Sequence, residues 1–553
     1  MTGRFPRNLA INSSDPAEVN QGVKLFGRRL IRDQTPLEFL TELLLVAFSP
    51  RQIGNEDAGS AALPSISTLQ SWPAGESLSY SPQSRIGLKL FALLGVSRLE
   101  ARHASHREHY EKTLLPALGN GITTGTDLSQ REVLQTLENL LLGFVGVGQN
   151  RGWCAQTFLP LRSEFLAGEA IWNESLARRI DAGGTGMSWA DLLEQPARFF
   201  TMSRHRFMAR GGEVLFLQLC NVFRQPQEQI DQFVASSGLG ESLDQSETNL
   251  KALHRRLCSG LQRVMEQVPA AVGRIARWID GIDEETQSCF SSARERVNCY
   301  WVPEETWRES FLFAIELSRL CHAALDPIER IDLLTMACAM QVLRTMSAQT
   351  IRHLPAGVDI HPAAGASLGY AWIASPVRCP DRTRRDLAQR SLHFIQDAIF
   401  RTLRSEEFGN DEVKKPTDDK YGHGLFLSLA KRTGLVIPPR GSGARFVLDD
   451  RWMRYLVLSI IGPGRRRNLQ GFLQDVYRHT GIVIDGTEFD RACDWVGMGK
   501  LEGSEAGKGE WFESMLREGG FLHELSDAYS LVENPFSYSS ETEEIDGHGG
   551  DDQ

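Results

Sequence analysis

The chain has no CxxC pair and no long apolar run, and each absence removes a class of function. Its nine cysteines (154, 220, 258, 289, 299, 321, 338, 379 and 493) are scattered, odd in number and mostly set in apolar helical segments. That pattern suits buried, reduced thiols rather than a disulfide framework. "FLTELLLVAFSP" falls short of the roughly 18 continuous apolar residues a membrane span needs, and the opening "MTGRFPRNLAINSSDPAEVN" lacks the apolar centre of a secretory leader. The expected setting is the cytoplasm, with no membrane.

Catalytic and cofactor motifs are equally scarce. There is no HExxH and no phosphate-binding Walker pattern. "GFVGVGQNRGWCAQTFLPL" carries Gly143, Gly146 and Gly148, but its spacing is GxxGxG and a helix precedes it, so it is not a dinucleotide fingerprint. Arg151, Trp153, Cys154 and Gln156 in the same run read as a packed turn, and no base can be placed beside Cys154. His103, His106 and His109 recur every third residue, which puts two imidazoles on one helix face and turns the third away. A solvent-facing helix explains them better than a metal site. No cofactor, metal or catalytic residue is expected, and a metal-dependent enzyme is the least favoured reading.

Positive charge is also short overall. The net charge is −10, so the molecule has no blanket attraction for nucleic acid, and any such contact must be local.

Helical periodicity is abundant. "TPLEFLTELLLVAF" has Thr35 as N-cap, Pro36 at the first helical position and Glu38 closing a capping box, which predicts a helix to about Phe48. Long helical patterns follow through 245–350, and strands are suggested only at 434–437, 444–448 and 481–484. The expected fold is mainly α, with multi-helical N-terminal (1–240) and central (241–404) regions. A charged, glycine-interrupted linker at 405–424 leads to a winged-helix-like α+β module at 425–535 and a disordered acidic tail at 536–553.

The module carries the functional reading. A helix "HGLFLSLAKRT" stops at Gly434, a hairpin "LVIPPRGSGARFVL" follows, and "RWMRYLVLSII" and "NLQGFLQDVYRHT" flank the turn "GPGRRR". Leu469, Phe472, Leu473, Val476 and Tyr477 share one helix face, and Gly481 repeats the stop at Gly434 ("KRTGLVI", "RHTGIVI"). In a winged helix one helix enters the major groove while the hairpin rides the phosphates. Residues 420–480 hold eleven Lys or Arg against three acids, a local charge of +8.

The candidate nucleic-acid contacts are Arg465, Arg466, Arg467 and Arg478, with Arg440 on the hairpin. "ARFFTMSRHRFMARGGE" interleaves Arg204 and Arg206 with phenylalanines, a second candidate surface, although a basic helix face over a core explains it as well. Arg382, Arg384 and Arg385 open a helix, where positive charge opposes the dipole and points to an anionic partner.

"RYLVLSIIGPGRRRNLQGFLQDVYRHTGIVID", together with "NRGWCAQTFLPL", resembles large helical proteins of bacterial phage-defence gene clusters. The resemblance covers about a fifth of the chain and carries no catalytic residues. It implies a non-enzymatic subunit that binds double-stranded DNA or assembles a complex with ATPase or nuclease partners. The alternative is a scaffold in which the same basic face docks an acidic subunit.

Overall fold

Thr35 opens the first long helix as its sequence dictates. Its hydroxyl accepts from the Glu38 N–H, and the Glu38 carboxylate accepts from the Thr35 N–H at 2.7 Å, closing the capping box. This helix, α1 (Pro36–Ala47), packs on α2 (Gly211–Phe223). The computed structural model describes residues 3–9, 20–28, 30–60, 62–83, 85–91, 107, 110–123, 129–146, 157–168, 171–172, 182–184, 186, 200–201, 210–282, 296–355, 361–408, 420–499, 508–526 and 529–538. The chain is mainly helical, with small sheets.

The centre is built from α3 (Leu250–Val264), α4 (Trp307–His322) and α5 (Pro327–Arg352). Helices α4 and α5 are buried nearly all round, so polar side chains on them must find partners inside. The Glu316 carboxylate of α4 accepts from Arg344 of α5 and from the Tyr455 hydroxyl at 3.0 Å, all three being fully enclosed. Arg319 donates to Glu247 at 2.6 and 2.7 Å, and also to the Ser459 and Ile460 carbonyls. Those carbonyls end α8 (Asp450–Ile460), where a cation suits the helix dipole.

The C-terminal half repeats one order of elements. First come α5, the strand β2 (Ser375–Pro376), α6 (Arg382–Leu403), α7 (His423–Arg432), and the hairpin β3 (Val436–Ile437) and β4 (Arg445–Leu448). Then come α8, β5 (Arg466–Asn468), α9 (Leu469–Thr480), α11 (Glu510–Glu518), and the hairpin β7 (Leu522–Ser526) and β8 (Tyr529–Glu533). Each unit's sheet is ordered first, third, second: β2-β4-β3 and β5-β8-β7. The first pairing is parallel (Ser375↔Val447) in one unit and antiparallel (Arg467↔Val532) in the other. Between α9 and α11 the second unit adds β6 (Ile482–Val483) and α10 (Gly486–Trp495), and β6 pairs in parallel with β1 (Trp372–Ile373).

The elements expected at 425–535 are thus present but are dealt to two units. The β3–β4 hairpin closes on β2, outside that range, while α8 and α9 go with a second hairpin absent from the sequence expectation. The physical reason is weak patterning: β7 carries His523 and Glu524, and only Leu522 and Val532 of the pair are buried. The repeated helix–glycine–strand ending is real in geometry, with Gly434 at φ +78° and Gly481 at φ +75°. Thr433 and Thr480 also donate back to the Leu429 and Val476 carbonyls.

One cluster of buried apolar side chains takes in Leu43, Leu312, Leu343, Leu458 and Phe472, from all three regions expected to be folded. Of the expected linker, 409–419 lies outside the described residues, while Phe408 is buried and the Lys420 carbonyl accepts from Arg32 at 3.0 Å. Of the expected disordered tail, Phe536 packs on the core, Ser537 O accepts from Ala324 N, and Tyr538 Oη accepts from Arg256. The remainder of the tail lies outside the described residues. No helix among those described is long and apolar enough to cross a membrane.

Candidate nucleic-acid interface

The three consecutive arginines leave α8 through the turn at Gly462–Gly464 and enter β5. Each meets a carboxylate. Arg465 Nη2 lies 2.8 Å from Asp244 Oδ2, and Arg466 Nε lies 3.0 Å from Glu533 Oε2. Arg467 donates through Nε to Asp475 at 2.9 Å and through Nη2 to Glu241 at 3.2 Å. Arg478, one turn further along α9, sits 3.5 Å from the other Asp475 oxygen. Asp475 is 2% exposed, so two guanidinium groups bracket a carboxylate that water does not reach.

The same holds for the other basic residues near α8. Arg451 pairs with Asp332 and Arg454 with Glu329, both on α5. Arg451, Arg454, Arg465 and Arg467 therefore face acids of the helical body. At Asp244 burial opposes ionisation, yet the Ser246 hydroxyl and Arg465 hold its carboxyl below the usual range.

No family model matches the chain, and no curated protein or solved structure matches it either.

Exposure decides what α9 can touch. Its Phe472, Val476 and Tyr477 are buried as the apolar pattern requires, and Leu469 and Leu473 pack at the margin. Its polar residues are also turned inward: Asp475 is buried, and so is His479, whose Nε2 lies 3.2 Å from Ser242 Oγ. Only Gln470 of the helix is exposed. A helix read by DNA must present one long open face to a groove about 12 Å wide, and α9 has none.

Arg440 is placed differently. It sits in the exposed β3–β4 turn at 439–443, with no ion-pair partner among the described residues. Arg384, at the start of α6, is 2% exposed and donates to the Ala374 and Ile484 carbonyls at 2.8 and 2.6 Å. Burial pulls its pKa down to about 10, and backbone carbonyls take the place of the anion its sequence position suggested. Arg204, Arg206, His103, His106, His109, Gly148 and Cys154 lie outside the described residues.

The acidic partners escaped sequence reasoning because a contact between 241–247 and 465–467 is non-local. A usable signal was there: Glu241, Asp244 and Glu247 form an acidic run that complements the basic elbow.

Two recesses open among the described residues. One, lined by Glu38, Glu42, Tyr80, Lys89 and Arg210, has a volume of about 50 Å³, room for one or two waters. The other, about 460 Å³, is an apolar groove between α1 and α5 lined by Leu37, Ile331 and Met336, with the Arg451–Asp332 pair at its rim. It contains neither a thiol nor a histidine. Among the described residues no three His, Cys, Asp or Glu side chains stand close enough to hold a metal ion, and the seven described cysteines are free.

Proposed function

We propose that the chain is a non-enzymatic assembly subunit that works through protein–protein contacts, with two successive winged-helix-like units as its docking elements. The order helix, strand, helix, helix, hairpin in 450–533, interrupted by β6 and α10 between the last two helices and with the first strand beside the third, supports that description of the second unit. The resemblance to phage-defence proteins gives the setting: a bacterial defence complex beside an ATPase or nuclease.

The observation that carries the reading is the pairing of Arg465, Arg466 and Arg467 with carboxylates of the same chain. An exposed ion pair is worth only about 0–1 kcal/mol, so Arg465 or Arg466 could swing away from its partner. The acids would remain, however, and a phosphate approaching this surface would meet Asp244, Glu241 and Glu533 as well as the arginines. The helix in the groove-reading position of the second unit, α11, carries Glu510, Glu513 and Glu518 against one arginine. Both features favour a protein partner over DNA. Of the candidate contacts among the described residues, Arg440 is the one left to the DNA reading without an ion-pair partner.

Purification with the proteins encoded by adjacent genes, with and without nuclease treatment, tests the proposal. A complex that survives nuclease supports it, and one that dissolves on nuclease treatment contradicts it.

A further inference from the structure

The second unit ends in a surface that its own fold leaves uncovered. In the sheet β5-β8-β7, strand β7 lies at the edge, and among the described residues nothing pairs with its outer side. A row of unpaired backbone N–H and C=O groups is a template for another strand. Natural edges are commonly blunted by proline, lysine, a bulge or a cover. Strand β7 (Leu522–Ser526) contains no proline and no lysine, and its one register irregularity, at Leu525 between Glu524 and Ser526, leaves Leu522–Glu524 in regular pairing.

Two of the seven exposed large apolar side chains described lie at the same place. Leu525 is 64% exposed, the highest value among the large apolar side chains described, and Tyr529, across the hairpin, is 50% exposed. A single exposed leucine is ordinary. Two large side chains flanking one hairpin tip, beside a free edge, form a contact patch.

Charge identifies the occupant. Helix α11 lies against β7 with Phe512 and Leu516 buried, stacking Phe512 on Phe472 at 6.5 Å. Its outer side presents Glu510, Glu513 and Glu518, and its one cation, Arg517, is bonded to Glu524 of β7. Glu518 lies in the last turn, where a negative charge opposes the helix dipole, so the helix alone gains nothing from it. On the far side of the sheet Glu533 is held by Arg466 and lies 2.9 Å from His523, so that carboxylate already has partners.

We propose that the free edge of β7 accepts an extended, lysine- or arginine-bearing segment of a partner protein as an added strand. Its apolar residues would cover Leu525 and Tyr529, and its cations would meet Glu513 and Glu518 of α11. Main-chain bonds to an edge give affinity, while side chains on alternate positions give specificity. The inference rests on the assembly reading and assigns it a surface.

The test uses the full chain and the proteins encoded by adjacent genes. Amide hydrogen exchange is followed at 522–526 in the free chain and in the complex, and binding is repeated with Leu525→Asp and with Glu518→Lys. The expected results are slowed exchange at β7 and affinity about tenfold weaker or worse for either variant. Both variants alter exposed side chains, and thermal melting confirms that they fold. A nuclease-resistant complex with unchanged exchange at β7 and unimpaired variants overturns this proposal and leaves the assembly reading standing. Absence of any nuclease-resistant complex overturns both. If light scattering shows the chain alone to be a dimer that Leu525→Asp dissociates, the occupant is a second copy and the partner-segment proposal fails.

Discussion

Arg467 donates to Asp475 at 2.9 Å, and this bond turns one arginine of the most conspicuous basic motif of the chain inward. The arginine comes from the elbow after α8 and the aspartate from the middle of α9, so the pair staples a turn to the helix it launches. With Arg478 on the other carboxylate oxygen, Asp475 is compensated in a place where an unpaired charge would be costly.

Arg467→Ala is therefore expected to destabilise the fold by roughly 1–3 kcal/mol, because it leaves a buried carboxylate with one remaining partner. Arg466→Ala, whose arginine is 61% exposed, is expected to shift stability by less than about 1 kcal/mol. Urea denaturation of the two variants measures the difference. Equal effects would contradict the assignment of Arg467 as the structural member of the triplet.

The enclosed Arg344–Glu316–Tyr455 set joins α4, α5 and α8. Arg344→Met leaves the Glu316 carboxylate buried without its counter-ion, for an expected loss of about 3–5 kcal/mol. Tyr455→Phe removes one hydrogen bond and is expected to cost about 1–2 kcal/mol. Denaturation midpoints order the two variants.

The two left-handed glycines separate conformational strain from steric conflict. At Gly434 an added Cβ has its nearest neighbour at 3.4 Å, the Asp449 carboxylate, so Gly434→Ala meets the strain of φ +78° with little collision. At Gly481 the same atom would lie 2.3 Å from the Tyr370 ring, which is buried and bonded to the Thr480 carbonyl. Gly434→Ala is expected to cost about 1–2 kcal/mol, and Gly481→Ala more than that. Melting temperatures of the pair check the order.

Acid sensitivity has a named contributor. Burial pulls the His322 imidazole down to about 4, aided by Arg256, Arg263 and Arg330, although the Ser318 carbonyl opposes the shift. Its folded pKa thus lies below the unfolded value of about 6.5, and the unfolded chain takes up the proton first. Stability from this group is intact above about pH 6.5 and is lost as the pH falls toward 4. His322→Gln is expected to flatten the fall in urea midpoint between about pH 7.5 and about pH 5. An unchanged slope would remove His322 from the account.

Local features were legible in the sequence where local chemistry decides them. The capping box at Thr35 and Glu38, the glycine stops at 434 and 481 and the apolar face of α9 all follow from neighbours within one or two turns. Strand partners were not legible, since β4 pairs with Ser375–Pro376 far along the chain, Ser375 standing opposite Val447. The charge of 420–480 was counted correctly, but its effect depended on acids at 241, 244, 329, 332 and 533, which only the tertiary fold brings near. A basic stretch in sequence is a statement about composition; whether it is a basic surface depends on what folds against it.

The most direct test of the account is fluorescence anisotropy of labelled double-stranded DNA at low salt, titrated with the wild-type chain and with Arg465→Ala/Arg466→Ala/Arg467→Ala. If the triplet is committed to Asp244, Glu533, Asp475 and Glu241, the two proteins give the same weak or absent binding. Wild-type binding that falls steeply with salt and disappears in the triple variant would contradict the account and restore the arginines as a phosphate-contacting surface.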